Sequence, residues 1–136
     1  MTWLRRTWSA IALARITVRA WFALAAFDAK TSTAGFRAIH DCVRASRVQR
    51  RRARSCSVDE IVWAVDEACV WYLKRAACFQ RSVVATRLLR RHGHDASLVI
   101  AYRPIPFESH AWVEVDGCVV NDLAQYQKAF IVLDRL

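Results

Sequence analysis

Residues 93–122 read G-H-D-A-S-L-V-I-A-Y-R-P-I-P-F-E-S-H-A-W-V-E-V-D-G-C-V-V-N-D. Across this stretch the apolar period changes from helical spacing to that of extended chain. Residues 96–103 are rich in branched and aromatic side chains and read as a strand, which Pro104 and Pro106 end because proline cannot donate to a ladder. Residues 110–115 alternate and residues 118–121 are again apolar. Between them Asp116 and Gly117 form a two-residue hairpin signal, since such a turn needs positive φ at both positions. Residues 129–134 supply a last strand. The C-terminal third is therefore an antiparallel sheet.

Upstream the pattern is helical. Residues 78–92 form one helix, capped by Gly93. Before it, Ser57 and Glu60 fit the S-x-x-E capping box, and Val58, Ile61, Val62, Val65, Cys69 and Tyr72 give an apolar face. The basic run R-V-Q-R-R-R-A-R, residues 47–54, reads as a mobile, exposed connector, with a short helix over 36–48 before it. Residues 30–35, K-T-S-T-A-G, read as a break. Residues 1–29 make an amphipathic helix through Leu4, Trp8, Ile11, Val18, Phe22 and Ala25, with Arg5, Arg6 and Arg19 toward water. Helices first and an antiparallel sheet after them define an α+β chain. We expect a single domain over 1–136, with a helical N-terminal part and basic connector over 1–54 and a catalytic core over 55–136.

At 136 residues and 55% hydrophobic, the chain has enough apolar material for one core, which excludes a disordered binding segment. The net charge of +9 implies an acidic partner. The five cysteines, Cys42, Cys56, Cys69, Cys78 and Cys118, are odd in number and include no C-x-x-C pair. That pattern argues against a zinc site, a redox motif and a disulfide framework, so no metal or cofactor is expected and reduced thiols point to a cytoplasmic protein. The first residues resemble a secretory signal only until Arg15 and Arg19 interrupt the apolar run. No stretch reads as the roughly 20 apolar residues of a transmembrane segment.

The chemistry begins at Cys78, placed at the start of an apolar helix. Unpaired backbone N–H groups and the helix dipole favour a thiolate there and suit an oxyanion, and Arg81 adds positive charge one turn later. His110 lies on a strand, a rigid base for a sulfur nucleophile. The hairpin at Asp116 and Gly117 folds the next strand back so that Asn121 and Asp122 return beside His110, where Asp122 fixes the imidazole tautomer. Each residue has a plainer reading: a cysteine as a small buried hydrophobe, a satisfied strand histidine, an aspartate in a turn. Their order along the chain carries the case. His92 and His94 read as exposed residues of the helix cap, and His40 as a helical residue with no partner in sight. Trp71 and Trp112 read as core, and the arginine run as a solvated connector.

These residues resemble those of the lasso peptide leader peptidases, the microcin-processing proteins with a transglutaminase-like fold. The resemblance rests on W-Y-L-K-R-A-A-C-F-Q-R-S-V-V-A-T-R-L-L-R-R-H-G and on S-L-V-I-A-Y-R-P-I-P-F-E-S-H-A-W-V-E-V-D-G-C-V-V-N-D. It is strong over residues 57–123. The family's cysteine falls on Cys78 in C-x-x-R-S, its histidine on His110 in H-A-W-V-E-V-D-G and its aspartate on Asp122 in N-D. Phe79 and Gln80 stand where the family more often has leucine first, and V-I-A-Y where a glycine is commoner.

The resemblance implies a transglutaminase-like (papain-like) cysteine peptidase that cuts the leader from a ribosomally made precursor, with a threonine near the leader's end as a specificity element. It implies as partners the precursor peptide and an ATP-using lasso cyclase. Outside the catalytic core only about 50 residues remain, short of an independent domain, so we expect a separate leader-recognition protein, with the basic N-terminal half as its docking surface. Two other readings stay open: a thiol acyl transferase of the same fold, and a non-enzymatic basic module holding nucleic acid through the arginine run. The second is weakened because that run lacks interleaved aromatics.

Overall fold

In the computed structural model, residues 2–50 and 56–136 are described, with side chains from Ser9 onward. The expectations for residues 51–54 of the basic run, and for the side chains of Leu4, Arg5, Arg6 and Trp8, lie outside the described residues.

Helix α1 spans Thr2–Ala45, with one non-helical residue, Gly35, at φ 77° and ψ 179°. The break expected over 30–35 is thus confined to one residue. Residues 31–34 stay helical, with the Thr31 and Thr33 hydroxyls donating to the Phe27 and Ala29 carbonyls one turn back at 2.8 Å each. Gly35 occupies a region of φ/ψ space that is essentially closed to other residues. A Cβ built there meets nothing within 4 Å, so the cost of a side chain is conformational and not steric crowding. Gly35→Ala is expected to lower stability by about 1–3 kcal/mol, read from the denaturant midpoint.

One expectation needs correction. The segment Ser9–Ala45 is long and apolar enough to cross a membrane by length and composition, its most apolar 18 residues having a mean hydropathy of 1.6. Arg15 and Arg19, weighed as interruptions, leave the average apolar. In this fold the helix lies on the protein, burying Ile16, Ala20 and Leu24 from its first limb and Ile39 and Val43 from its second.

Helix α2, Val58–Val70, opens on the expected capping box: the Ser57 side chain accepts from Glu60 N–H, and Glu60 accepts from Ser57 N–H. Helix α3, Cys78–Arg91, ends before Gly93, whose φ of 86° turns the chain out of the helix. Four strands follow: β1 Ala96–Pro104, β2 Phe107–Val115, β3 Cys118–Val119 and β4 Ile131–Arg135. They pair antiparallel in the order β3-β2-β1-β4. Asp116 and Gly117 both have positive φ, 51° and 76°, as their hairpin requires. The last strand starts later than expected because Tyr126–Ala129 form a short helix, α4.

The architecture is α+β, with α1, α2 and α3 on one face of the sheet and the short α4 on the other. Ile61, Val65, Leu88 and Leu89 meet Ala96, Val113 and Val115 on the first face, and Val83 meets Leu98 and Ala111. The opposite face carries Val99, Ala101, Trp112 and Phe130.

Arg90 ties the layers together. The residue is 9% exposed, and its guanidinium donates to the carbonyls of Val43, Ser46, Ala96 and Leu136 at 2.8–3.0 Å. Five donors in a fixed fork suit such a role, which no lysine can fill.

Candidate active site

Cys78 is the first residue of α3. The residue before it, Ala77, offers no side-chain acceptor to the helix N-terminus, and the first turn carries no acidic residue. The N–H groups there are therefore not occupied by a cap, as they are in α2. The thiol is half-buried and lines an open cleft of about 490 Å³ with Asp66, Cys69, Val70, Arg75, Ala76 and Arg81.

His110 sits on β2 opposite Ala101 of β1. Its Nε2 lies 2.9 Å from Asp122 Oδ2, and both side chains are about 15% exposed, shielding the pair from water. The ring is boxed by Tyr126 at 4.7 Å and Phe130 at 5.6 Å between centroids. With Nε2 committed to the carboxylate, Nδ1 is the nitrogen that remains for a thiol.

Arg81 joins the two halves. It lies one turn beyond Cys78 and donates to Asp122 Oδ2 at 3.1 Å and to the Asn121 carbonyl at 3.0 Å. Its other terminal nitrogen reaches Asp66 at 3.5 Å. A guanidinium from the helix that begins with Cys78 thus grips the same carboxylate oxygen that meets the histidine. Next to it runs a buried chain of hydrogen bonds: Asn121 Nδ2 donates to Ser82 Oγ, Ser82 Oγ to the Ala111 carbonyl, and Val113 N–H to Asn121 Oδ1. This chain fixes α3 against β2 and the 120–122 turn.

The sequence-derived residues are therefore placed as follows. His110 and Asp122 are in contact. Arg81, one turn beyond Cys78, contacts Asp122, and no hydrogen bond links Cys78 to His110 among the described residues. Gln80, next but one to the thiol, is buried and donates to the Leu24 carbonyl at 3.0 Å, so it docks α3 on α1.

Several smaller expectations are corrected. His92 and His94 are buried and not exposed: the turn at Gly93 folds them inward, and His94 Nε2 lies 2.8 Å from the Cys56 carbonyl. His40 has a partner, Asp134 of β4, at 2.9 Å. Trp71 is 71% exposed, outside the core, held by its own N–H on Glu67 and by Trp21 N–H on its carbonyl. Trp112 is fully buried, as expected, and donates to Glu114.

Electrostatics disfavours the thiolate at Cys69, the other cysteine of the cleft. Burial pushes the Cys69 thiol up, and the Asp66 carboxylate pushes it further, against a smaller opposing effect of Arg81. Burial likewise raises Asp66, with Arg81 lowering it and Asp122 raising it. On the sheet, burial raises Glu114, but hydrogen bonds from Gln127, Trp112 and Arg135 outweigh it and hold the carboxyl below its ordinary range. Glu114 is thus an anion that anchors Trp112, two residues from the histidine.

The family model described as transglutaminase-like superfamily matches residues 23–135, most of the chain. The microcin J25-processing protein McjB of Escherichia coli is 46% identical over 62 residues, 46% of this chain. The match spans 30% of that protein's length. No solved structure matches.

Proposed function

This chain belongs to the transglutaminase-like superfamily, and on that premise we propose that it is a cysteine peptidase that removes the leader from a lasso peptide precursor. The observation that carries the reading is the His110–Asp122 pair held by Arg81 from the first turns of the helix that begins with Cys78. The name of the Escherichia coli relative, a microcin-processing protein, supports the substrate class.

In this mechanism His110 Nδ1 takes the proton of Cys78. The thiolate attacks the carbonyl of the last leader residue, and the oxyanion faces the N–H groups of the first turn of α3. His110 then gives its proton to the leaving nitrogen, which departs as the amino terminus of the core peptide, and a thioester remains. Water, deprotonated by His110, attacks the thioester, and the leader leaves as a free acid while the thiol is restored. Asp122 holds the ring and balances the imidazolium. A separate recognition protein delivers the leader, a cyclase takes the core peptide, and the reaction runs in the cytoplasm.

The test is incubation of the full chain with a candidate precursor and its recognition protein, read by mass spectrometry. Leader acid and core peptide with a free amine are expected. An amide adduct of the leader in place of the acid overturns hydrolysis in favour of acyl transfer, and unchanged precursor overturns the substrate.

A further inference from the structure

A second concavity lies between the two limbs of α1 and the middle and end of α3. Residues 19–30 of α1, residues 39–49 around the end of its second limb, and residues 83–91 of α3 line a groove of about 620 Å³. That is within the range of about 300–1,000 Å³ typical of pockets that bury a ligand. It shares no lining residue with the Cys78 cleft. Arg87 stands nine residues along α3 from Cys78, about 13 Å at the helical rise.

The lining has two parts. Val83, Val84 and Leu88 form a buried apolar floor, Phe27 adds a half-buried ring, and Phe22 at the lip is 64% exposed. Around them stand Arg19, Lys30, Arg47, Arg87 and Arg91, all exposed. No carboxylate lines the groove, and among the described residues none of the five cations takes part in an ion pair. Outside the groove some cations are paired, Lys74 with Asp28, Arg81 with Asp66 and Asp122, Arg135 with Glu114, while others such as Arg37 and Arg75 form no ion pair among the described residues. What sets the groove apart is five cations gathered around one apolar floor. Five like charges around apolar surface repel one another, a cost that an acidic partner removes.

The spacing limits what that partner is. Arg19 and Lys30 are eleven residues apart on one helix, about 16 Å along its axis. A single phosphate or small carboxylate cannot reach across such a span, and the apolar floor gives a polyanion without side chains nothing to bury. Both requirements are met by an amphipathic helix with apolar anchors on one face and Asp or Glu beside them, the helix-in-groove mode of recognition. We infer that this groove is a docking site for an acidic amphipathic helix of another protein chain. The inference stands apart from the peptidase reading, because it uses no residue of the Cys78 cleft.

The test uses the full chain and a fluorescent designed peptide of about 18 residues, leucines along one helical face and glutamates flanking them. Anisotropy is read against two controls: the same composition scrambled so that the leucines share no face, and the same pattern with lysine in place of glutamate. Binding of the patterned acidic peptide alone is expected. Arg87→Glu with Arg91→Glu should weaken it roughly tenfold or more, and Phe22→Ser should weaken it with no change in charge. The rate at which iodoacetamide labels Cys78, followed by peptide mapping, checks that each variant is folded at the catalytic end. Equal binding of the scrambled peptide reduces the groove to bulk charge attraction and overturns the proposal. So does indifference to the Arg87 and Arg91 reversals. If vesicles of anionic phospholipid or a single-stranded oligonucleotide displace the peptide at equal charge concentration through the same residues, the site belongs to that ligand and the helix is excluded.

Discussion

Cys78→Ala is expected to reduce leader removal by at least about three orders of magnitude, since the residual rate of an enzyme lacking its nucleophile comes only from binding and oxyanion stabilisation. The same change should leave stability within about 0.5 kcal/mol, because the side chain is half-buried and alanine is the better helix former at that position. Intact mass analysis of the precursor and a thermal melt of the variant check the two halves separately. Cys69 is the control within the same cleft. Its thiol is pushed up by burial and by Asp66, so it is a poor nucleophile at neutral pH, and Cys69→Ala should process precursor at close to the wild-type rate. Wild-type activity in Cys78→Ala, or its loss in Cys69→Ala alone, would place the chemistry on the wrong sulfur.

The second large effect is expected at the carboxylate. Asp122→Asn keeps the shape of the side chain but removes the charge and offers the imidazole an ambiguous partner, so the ring can settle in the wrong tautomer. The equivalent change in a serine protease lowers kcat by about four orders of magnitude, and two to four are expected here. Arg81→Gln acts through Asp122. It frees a carboxylate now held at 3.1 Å and removes the cation between Asp122 and Asp66, so misplacement of the histidine should cost about a hundredfold. Because both changes break one unit, Arg81→Gln in the Asp122→Asn background should add little. Arg81→Lys should restore only part of the rate, since an ammonium is a point donor and cannot reproduce the fork that spans Asn121, Asp122 and Asp66. A merely structural arginine would instead give additive losses in the double variant and a matching fall in melting temperature.

What the amino-acid sequence made legible here is mostly local. The capping box at Ser57 and Glu60, the cap at Gly93 and the hairpin at Asp116 and Gly117 are decided by backbone chemistry within a few residues. His110 and Asp122 belong to the same class, being twelve residues apart across that hairpin, so their meeting followed from the turn. Other features depend on partners that no window contains. Arg81 read as a positive charge near the thiol, but its grip on Asn121 and Asp122 spans about forty residues. His40 and Asp134 are separated by 94. His92 and His94 looked like exposed cap residues because the direction in which Gly93 turns the chain is set by packing against Cys56. The break before Gly35 looked longer than it is, because threonines that weaken a helix on average here hydrogen-bond within it.

Arg90 has a consequence for how the molecule opens. One guanidinium is shared by the second limb of α1, the start of β1 and the last residue of the chain. If any one of these frays, the charge left behind is buried and short of acceptors, which raises the free energy of partial unfolding toward that of complete unfolding. Amide exchange in these three segments should therefore follow a common protection factor. The strand paired with His110 would then be among the last parts of the protein to breathe.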